Sequence, residues 1–291
     1  MIIKEALQYG WQTLDKNKTI IDNSALEAEI LLASILKTSR EHLLTHNEDK
    51  LNKFQLLKYK KLLALRLKLW PIAYLTGHKY FYGLDFFVNK NVLVPRPESE
   101  MMVDEILDIV NKSELEPEII DLGTGSGCII ISLAKNLAPN IPCTGIDVSS
   151  AALSVAKKNA KNLEVPNVKF IKSNLLQKVL PILKYNNNKH LVIAANLPYL
   201  APDWIKASPS IKHEPKLALV AGADGLKYYR ILFDQIKTLS NPKITILCEI
   251  DPRQKETIAK LLEEKIPEAT YQIKNDLAGL DRLVIIEMNS R

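Results

Sequence analysis

The chain has 291 residues, 47% of them hydrophobic and 25% charged, with a formal net charge of +6. This is globular composition, and it excludes a disordered chain, a collagen-like repeat and a disulfide scaffold. Three cysteines without a CxxC pair point to a reducing compartment, and no apolar stretch approaches the ~20 residues of a membrane helix.

Residues 1–70 read as helices only, at about 3–15, 24–37 and 52–69, each with apolar residues at three- and four-residue spacing. The start, MIIKEALQYGWQTLDKN, lacks a signal core and is expected to be an amphipathic helix, so a cytoplasmic protein is expected. Asn23-Ser24 offers an N-cap, with Glu27 completing a capping box from Ser24. Trp70-Pro71 closes the third helix, because proline disfavours helical geometry at the residue before it. Residues 1–80 carry 13 basic and 8 acidic side chains, so the positive charge lies mostly here. Solvated helix faces are the simpler account of it, and steering of an acidic partner is the functional one. His42 and His46 are four apart but have no further ligand nearby, and no metal site is expected.

Residues 79–96 are aromatic and β-branched around Gly83-Leu84-Asp85 and Asn89-Lys90-Asn91, and the pattern predicts a β-hairpin linker. Pro97 and the acids that follow it open a helix to about Asn111. Strands are then expected at 118–122, 142–147, 168–172, 190–195, 243–250, 269–274 and 282–287. Helices at about 127–137, 150–162, 225–238 and 252–264 alternate with them. That rhythm predicts an α/β fold with a mostly parallel sheet. NDLAGLD is too short for a helical crossover, so the last two strands should pair antiparallel. Asn186-Asn187-Asn188 reads as a loop tip.

The strand at 118–122 runs into DLGTGSGC (121–128), whose Gly123, Gly125 and Gly127 permit a tight turn and close approach of a ligand to the main chain. The GxGxG spacing is neither the GxGxxG of dinucleotide enzymes nor a P-loop. The next strand ends at Asp147, where a carboxylate can accept from two ribose hydroxyls. An alternative role for Asp147 is to cap the helix that begins at Ser149-Ser150. Together the two features point to a nucleoside-bearing ligand. Asn174 and Leu175 reach the same edge and could meet a base at its rim and face.

The strand at 190–195 ends in Asn196-Leu197-Pro198-Tyr199. A planar nitrogen is a poor nucleophile because its lone pair is delocalised. The Asn196 side-chain oxygen and the Leu197 carbonyl can accept from its two N–H bonds and hold it in line with a sulfonium methyl. Tyr199 can stack on the flat group, and Pro198 stiffens the turn.

With these features the chain resembles class I S-adenosylmethionine-dependent methyltransferases that act on amino groups. More narrowly, it resembles the HemK/PrmC family, the peptide chain release factor glutamine-N5 methyltransferases. The resemblance rests on YLTGHKYFYGLDFFVNKNVLVPRPESE (74–100), DLGTGSGCIIISLA (121–134), IDVSSAALSVAKKNA (146–160), HEPKLALVAGADGLKYYR (213–230) and DLAGLDR (276–282). It implies a Rossmann-like seven-stranded sheet with a small helical N-terminal domain. The implied division is a substrate-recognition domain at 1–78, the hairpin linker at 79–96 and the methyltransferase domain at 97–291. The implied cofactor is S-adenosyl-L-methionine, held by Gly123, Thr124, Gly125, Ser126, Gly127, Asp147, Asn174, Leu175 and Asn196. The implied substrate motif is Asn196, Leu197, Pro198 and Tyr199, with Asn196, Pro198 and Tyr199 catalytic. The chain departs from the family in three places: Leu197 replaces a proline, Asn174-Leu175 replaces Asp-Trp, and Asp251 replaces a glycine after Glu249-Ile250.

The implied partner is a peptide chain release factor, with no stable nucleic-acid partner, no membrane and a monomeric state expected. Asn-Leu-Pro-Tyr is also found in ribosomal RNA adenine dimethylases, so an adenine-N6 methyltransferase is the competing enzyme. An inactive cofactor-binding interaction protein is the reading from another class, and retention of Asn196, Pro198 and Tyr199 argues against it.

Overall fold

The computed structural model describes residues 1–17, 21–185, 188–206 and 211–289. It comprises two compact units, Met1–His78 with Ala207–His213, and Lys79–Lys206 with Glu214–Arg291.

The first unit contains α1 (Ile3–Leu14), α2 (Ser24–Leu36), α3 (Arg40–Thr45), α4 (Lys53–Leu67) and α5 (Ile72–Thr76). Their apolar faces converge on Ile3, Ala6, Leu14, Ala28, Leu31, Leu32, Leu43, Tyr59 and Leu63, all buried. The α2 cap differs from the sequence expectation. Asn23 alone caps the helix, its side chain accepting from Leu26 N–H. Glu27 instead accepts from Arg66 Nε at 2.6 Å and Nη2 at 2.9 Å, a forked ion pair between α2 and α4. The N-cap lies one residue earlier than a Ser24 box requires, which leaves the Glu27 carboxylate free for α4. The short α3 and α5 are additional elements, each below the length at which helical periodicity can be read.

The second unit opens with a two-stranded sheet of β1 (His78–Phe81) and β2 (Leu84–Phe87), joined through Tyr82-Gly83. Then follow α6 (Glu100–Asn111), β3 (Pro117–Leu122), α7 (Cys128–Asn136), β4 (Cys143–Asp147), α8 (Ser150–Asn162) and β5 (Val168–Lys172). The chain continues through α9 (Leu180–Tyr185), β6 (His190–Ala195), α10 (Pro202–Lys206), α11 (Lys227–Ile236), β7 (Lys243–Glu249), α12 (Lys255–Lys265), β8 (Thr270–Asn275) and β9 (Asp281–Asn289). Of the Asn186–Asn188 run, residues 186 and 187 lie outside the described residues.

The large sheet has seven strands in the order β5-β4-β3-β6-β7-β9-β8. β3 to β7 pair in parallel, whereas β9 is antiparallel to both β7 and β8. The continuous burial of β6, HLVIAA, is what a central parallel strand covered on both faces demands. His190, at its start, is a core group: Nε2 meets Thr245 Oγ1 at 2.8 Å and Nδ1 meets Ser113 Oγ at 2.9 Å. Burial holds its pKa down at about 4. From β3 the chain winds outward through β4 and β5 on one side, then returns to β6 and β7 on the other. The switch point therefore lies between β3 and β6, and a crevice opens at their carboxyl ends.

Gly10 tests how tightly the helical unit is packed. An added Cβ there would lie 1.9 Å from the Tyr59 hydroxyl oxygen, which donates to Ala28 O at 3.1 Å. Alanine would gain about 1 kcal/mol of helix propensity. Overpacking costs about 1–3 kcal/mol, and displacing the buried hydroxyl costs about 1–3 more. Gly10→Ala should therefore lower the urea midpoint of unfolding rather than raise it.

Candidate active site

The site grows from the register of β3 and β6. Leu122 pairs with Ala195, so the loops that follow these two strands leave the sheet side by side. One is the glycine loop, with Gly123, Gly125 and Gly127 at φ of +70°, +54° and +81°, in the region that penalises a Cβ. The other begins at Asn196. A Cβ on Gly123 would stand 3.4 Å from both the Asn196 carbonyl oxygen and Leu197 Cδ2, so the loops approach main chain to main chain.

Asp147, at the end of β4, closes the loop from the other side. Its Oδ2 accepts from Gly125 N–H at 3.0 Å and its Oδ1 from Ser149 N–H at 2.8 Å. It does not cap α8, because Ser149 does so, accepting from Ala152 N–H at 3.2 Å. Burial raises the Asp147 carboxyl above its ordinary range against the pull of these N–H donors.

A cleft of about 820 Å³, open mouth included, lies along this edge. Among the residues anticipated from sequence, Gly123, Gly125, Asp147, Asn174, Leu175, Asn196, Leu197 and Pro198 line it. Leu175 reaches it with φ +49°, a conformation a residue with a Cβ adopts only under constraint, and packs into the core. Leu197 is 3% exposed and its side chain joins the same core, which explains an apolar residue at this position.

Thr124, Ser126, Gly127 and Tyr199 are not among the lining residues. Thr124 Oγ1 donates to Asp121 Oδ2 at 2.6 Å, Ser126 O accepts from Asn159 Nδ2, and a Cβ on Gly127 would collide with Ile131 at 2.7 Å. These three shape the loop from beneath. Tyr199 turns its hydroxyl toward Glu249 Oε1, to which it donates at 3.1 Å.

Sequence reasoning missed several contributors. Asn91, Val92 and Leu93, read as part of a linker, form cleft wall, as do Pro215, Leu217, Ala218 and Tyr228. Glu214 ties these stretches together, accepting from Val94 N–H at 3.0 Å and Arg96 Nη2 at 2.5 Å. Their signal in the sequence was the pair of blocks at 74–100 and 213–230, two of those on which the resemblance rests. The second block also clamps the Asn196–Tyr199 tip: Leu200 N–H donates to Leu219 O and Ala221 N–H to Leu200 O. Gly225, at φ +75°, admits this closeness, since a Cβ there would lie 2.1 Å from Tyr199 O. Asp251 is at φ −75° and needs no glycine; it caps the turn Pro252–Gln254 by accepting from Arg253 N–H.

Comparison with known proteins decides the family. Residues 5–77 match the PrmC N-terminal domain, and residues 115–276 match a methyltransferase domain. A release factor glutamine methyltransferase of Bacillus anthracis is 34% identical, over 99% of this chain and 100% of its own. One of Coxiella burnetii is 37% identical, over 97% of this chain and 98% of its own. The chain belongs to the release factor glutamine methyltransferase family. It is a methyltransferase with the Rossmann-like class I fold. The solved hMettl16 catalytic domain in complex with MAT2A 3'UTR hairpin 1 matches with a TM-score of 0.57 at 13% identity. It covers 89% of this chain and 90% of that one, and speaks to the fold alone. Among the described residues of this methyltransferase, no helix is long and apolar enough to cross a membrane.

Asp121, the first residue of the glycine motif, gives the site a pH signature. It is 1% exposed, and burial lifts its carboxyl to about 7, from an ordinary value of about 4. The folded state therefore holds this proton more tightly than the unfolded chain does. Raising pH through that window costs the fold stability, and the loss is complete above about 7. Wild-type protein should lose stability relative to Asp121→Asn as pH rises from about 5 to about 8, read by urea melts without cofactor.

Proposed function

We propose that this methyltransferase transfers a methyl group from S-adenosyl-L-methionine to the side-chain amide N5 of a release-factor glutamine, modulating translation termination. The observation that carries the reading is the meeting of the Gly123–Gly127 loop, Asp147 and Asn196 at the switch point of the sheet. The residues present suit this cofactor. Asp147 keeps a lining carboxylate beside the loop for ribose hydroxyls, and Gly123 leaves no side chain between loop and ligand. Asn174 and Leu175 are assigned to the adenine. Thr124, Ser126 and Gly127 hold the loop in shape. When bound, the cofactor supplies an electrophilic sulfonium methyl.

The chain's own residues prepare the acceptor. In this reading Asn196 Oδ1 and the Leu197 carbonyl accept the two N–H bonds of the glutamine amide. Both acceptors favour charge building on the nitrogen, so no strong base is needed beforehand. Pro198 limits the freedom of the tip. Tyr199, held on the same carboxylate as Asn196, offers the flat ring on which the amide can lie. Residues 1–78 are assigned to recognition of the protein substrate, residues 79–96 to the linker and 97–291 to transfer. A monomer acting in the cytoplasm, without a stable nucleic-acid partner, completes the reading.

Asp147→Ala removes two charge-assisted acceptors, each worth about 1.5–3 kcal/mol before relaxation. Calorimetry should show S-adenosylmethionine binding at least about tenfold weaker in a folded variant. The acceptor is tested with labelled S-adenosylmethionine supplied to a release factor, its Gln→Ala variant and ribosomal RNA in parallel. Label should enter the intact factor only; label on RNA, or equal label on the Gln→Ala factor, would overturn the glutamine assignment.

A further inference from the structure

The carboxyl end of β7 carries a buried acid that the reading above leaves without a task. Glu249 is 2% exposed, and three donors from two separate segments converge on it. Ser99 Oγ donates to Oε2 at 2.5 Å, Asn196 Nδ2 to the same Oε2 at 2.9 Å, and Tyr199 Oη to Oε1 at 3.1 Å. Asn196 Nδ2 also donates to Ser99 Oγ at 2.9 Å. The backbone holds these groups in place. Ala195 pairs with Cys248, which sets Asn196 beside Glu249, and the buried Tyr229 hydroxyl bridges the carbonyls of Ala195 and Glu249.

An ionised carboxylate only accepts hydrogen bonds. A side-chain amide is nearly symmetric in shape, with a donor end and an acceptor end, and a neighbour that only accepts decides which end faces it. At Asn196 both known partners of the amide are reached from Nδ2. The end turned inward is therefore the donor, and Oδ1 is left for the cleft that Asn196 lines. A flipped Asn196 would present N–H groups to an acceptor nitrogen that also carries N–H groups, and would repel it.

We propose that Glu249, assisted by Ser99, is a positioning residue that locks the Asn196 amide with Oδ1 toward the cleft and anchors Tyr199 through its second oxygen. The inference rests on the reading of Asn196 as the acceptor of a substrate N–H. Glu249 touches neither substrate nor cofactor in this scheme and acts through the two residues it holds. The family-specific PRPES segment thereby gains a task, since it delivers Ser99.

The test uses the full-length protein with a release factor and S-adenosylmethionine, read in single turnover, with calorimetry for cofactor affinity. Glu249→Gln keeps the shape but adds an N–H donor, which can bond Asn196 Oδ1 and turn it inward. Its transfer rate should fall roughly tenfold to a hundredfold, the scale of a misplaced reacting group. Cofactor affinity should stay within about twofold of wild type, since Gly123, Asp147 and Leu175 are untouched, and the loss should fall on the transfer rate more than on binding of the factor. In an Asn196→Ala background, Glu249→Gln should add little, because its route is already removed. Ser99→Ala should show a smaller fall of the same kind, and it carries the test if Glu249→Gln does not fold. Wild-type transfer rate in a folded Glu249→Gln protein, or effects of Glu249→Gln and Asn196→Ala that multiply, overturns the positioning role while leaving the glutamine reading standing. A wild-type protein that transfers nothing to the release factor overturns that reading, and the positioning role with it.

Discussion

A carboxylate with almost no access to water is the constraint around which the active edge is organised. Burying such a charge costs several kcal/mol unless good donors surround it. Glu249 meets that requirement through Ser99, Asn196 and Tyr199, with the Arg282 charge nearby. Burial still pushes its carboxyl upward, and these partners pull it back. The donors come from the turn before α6, from the end of β6 and from the tip beyond it. One buried group thus ties three distant stretches of sequence to one geometry. Removing any single donor leaves the others with a poorly compensated charge, which makes the arrangement stiff.

The same logic runs through the second layer of the site. Glu214 is 5% exposed and binds the segment at Val94–Arg96, so the wall at Asn91–Leu93 and the wall at Pro215–Ala218 are fixed to each other. Gln254 Nε2 donates to the carbonyls of both Tyr199 and Asp224, which pins the tip to the loop that carries Gly225. Rigid support of this kind suits chemistry on a weak nucleophile, where positioning supplies much of the catalysis.

Leu197, Leu175 and Asp251, the three positions where the sequence departs from the expected motifs, are each fixed by packing or by local bonds. The Leu197 side chain is driven into the central core. Leu175 is held in a left-handed conformation within the same core. Asp251 stabilises its own turn with a cap and an ion pair to Arg253.

By itself the sequence determined the order of strands and helices, the antiparallel ending, the glycine loop, Asp147 and the Asn196–Tyr199 tip. Those features are local: period-two and period-3.6 patterning, turn residues and short spacings are written within a few positions of one another. Residues 40–45 and 72–76 escaped because single-turn helices carry too few positions for a period to show. Only the tertiary structure decided that Asn91–Leu93, Pro215 and Tyr228 line the cleft and that Thr124, Ser126 and Gly127 support it from below. It likewise decided the partners of Glu249, 150 positions from Ser99 and 50 from Tyr199. Glu249 reads in sequence as the polar end of a buried strand. Its meaning lies in the parallel register of β6 on β7, which is set by the burial of whole strand faces and not by any residue near it in the chain.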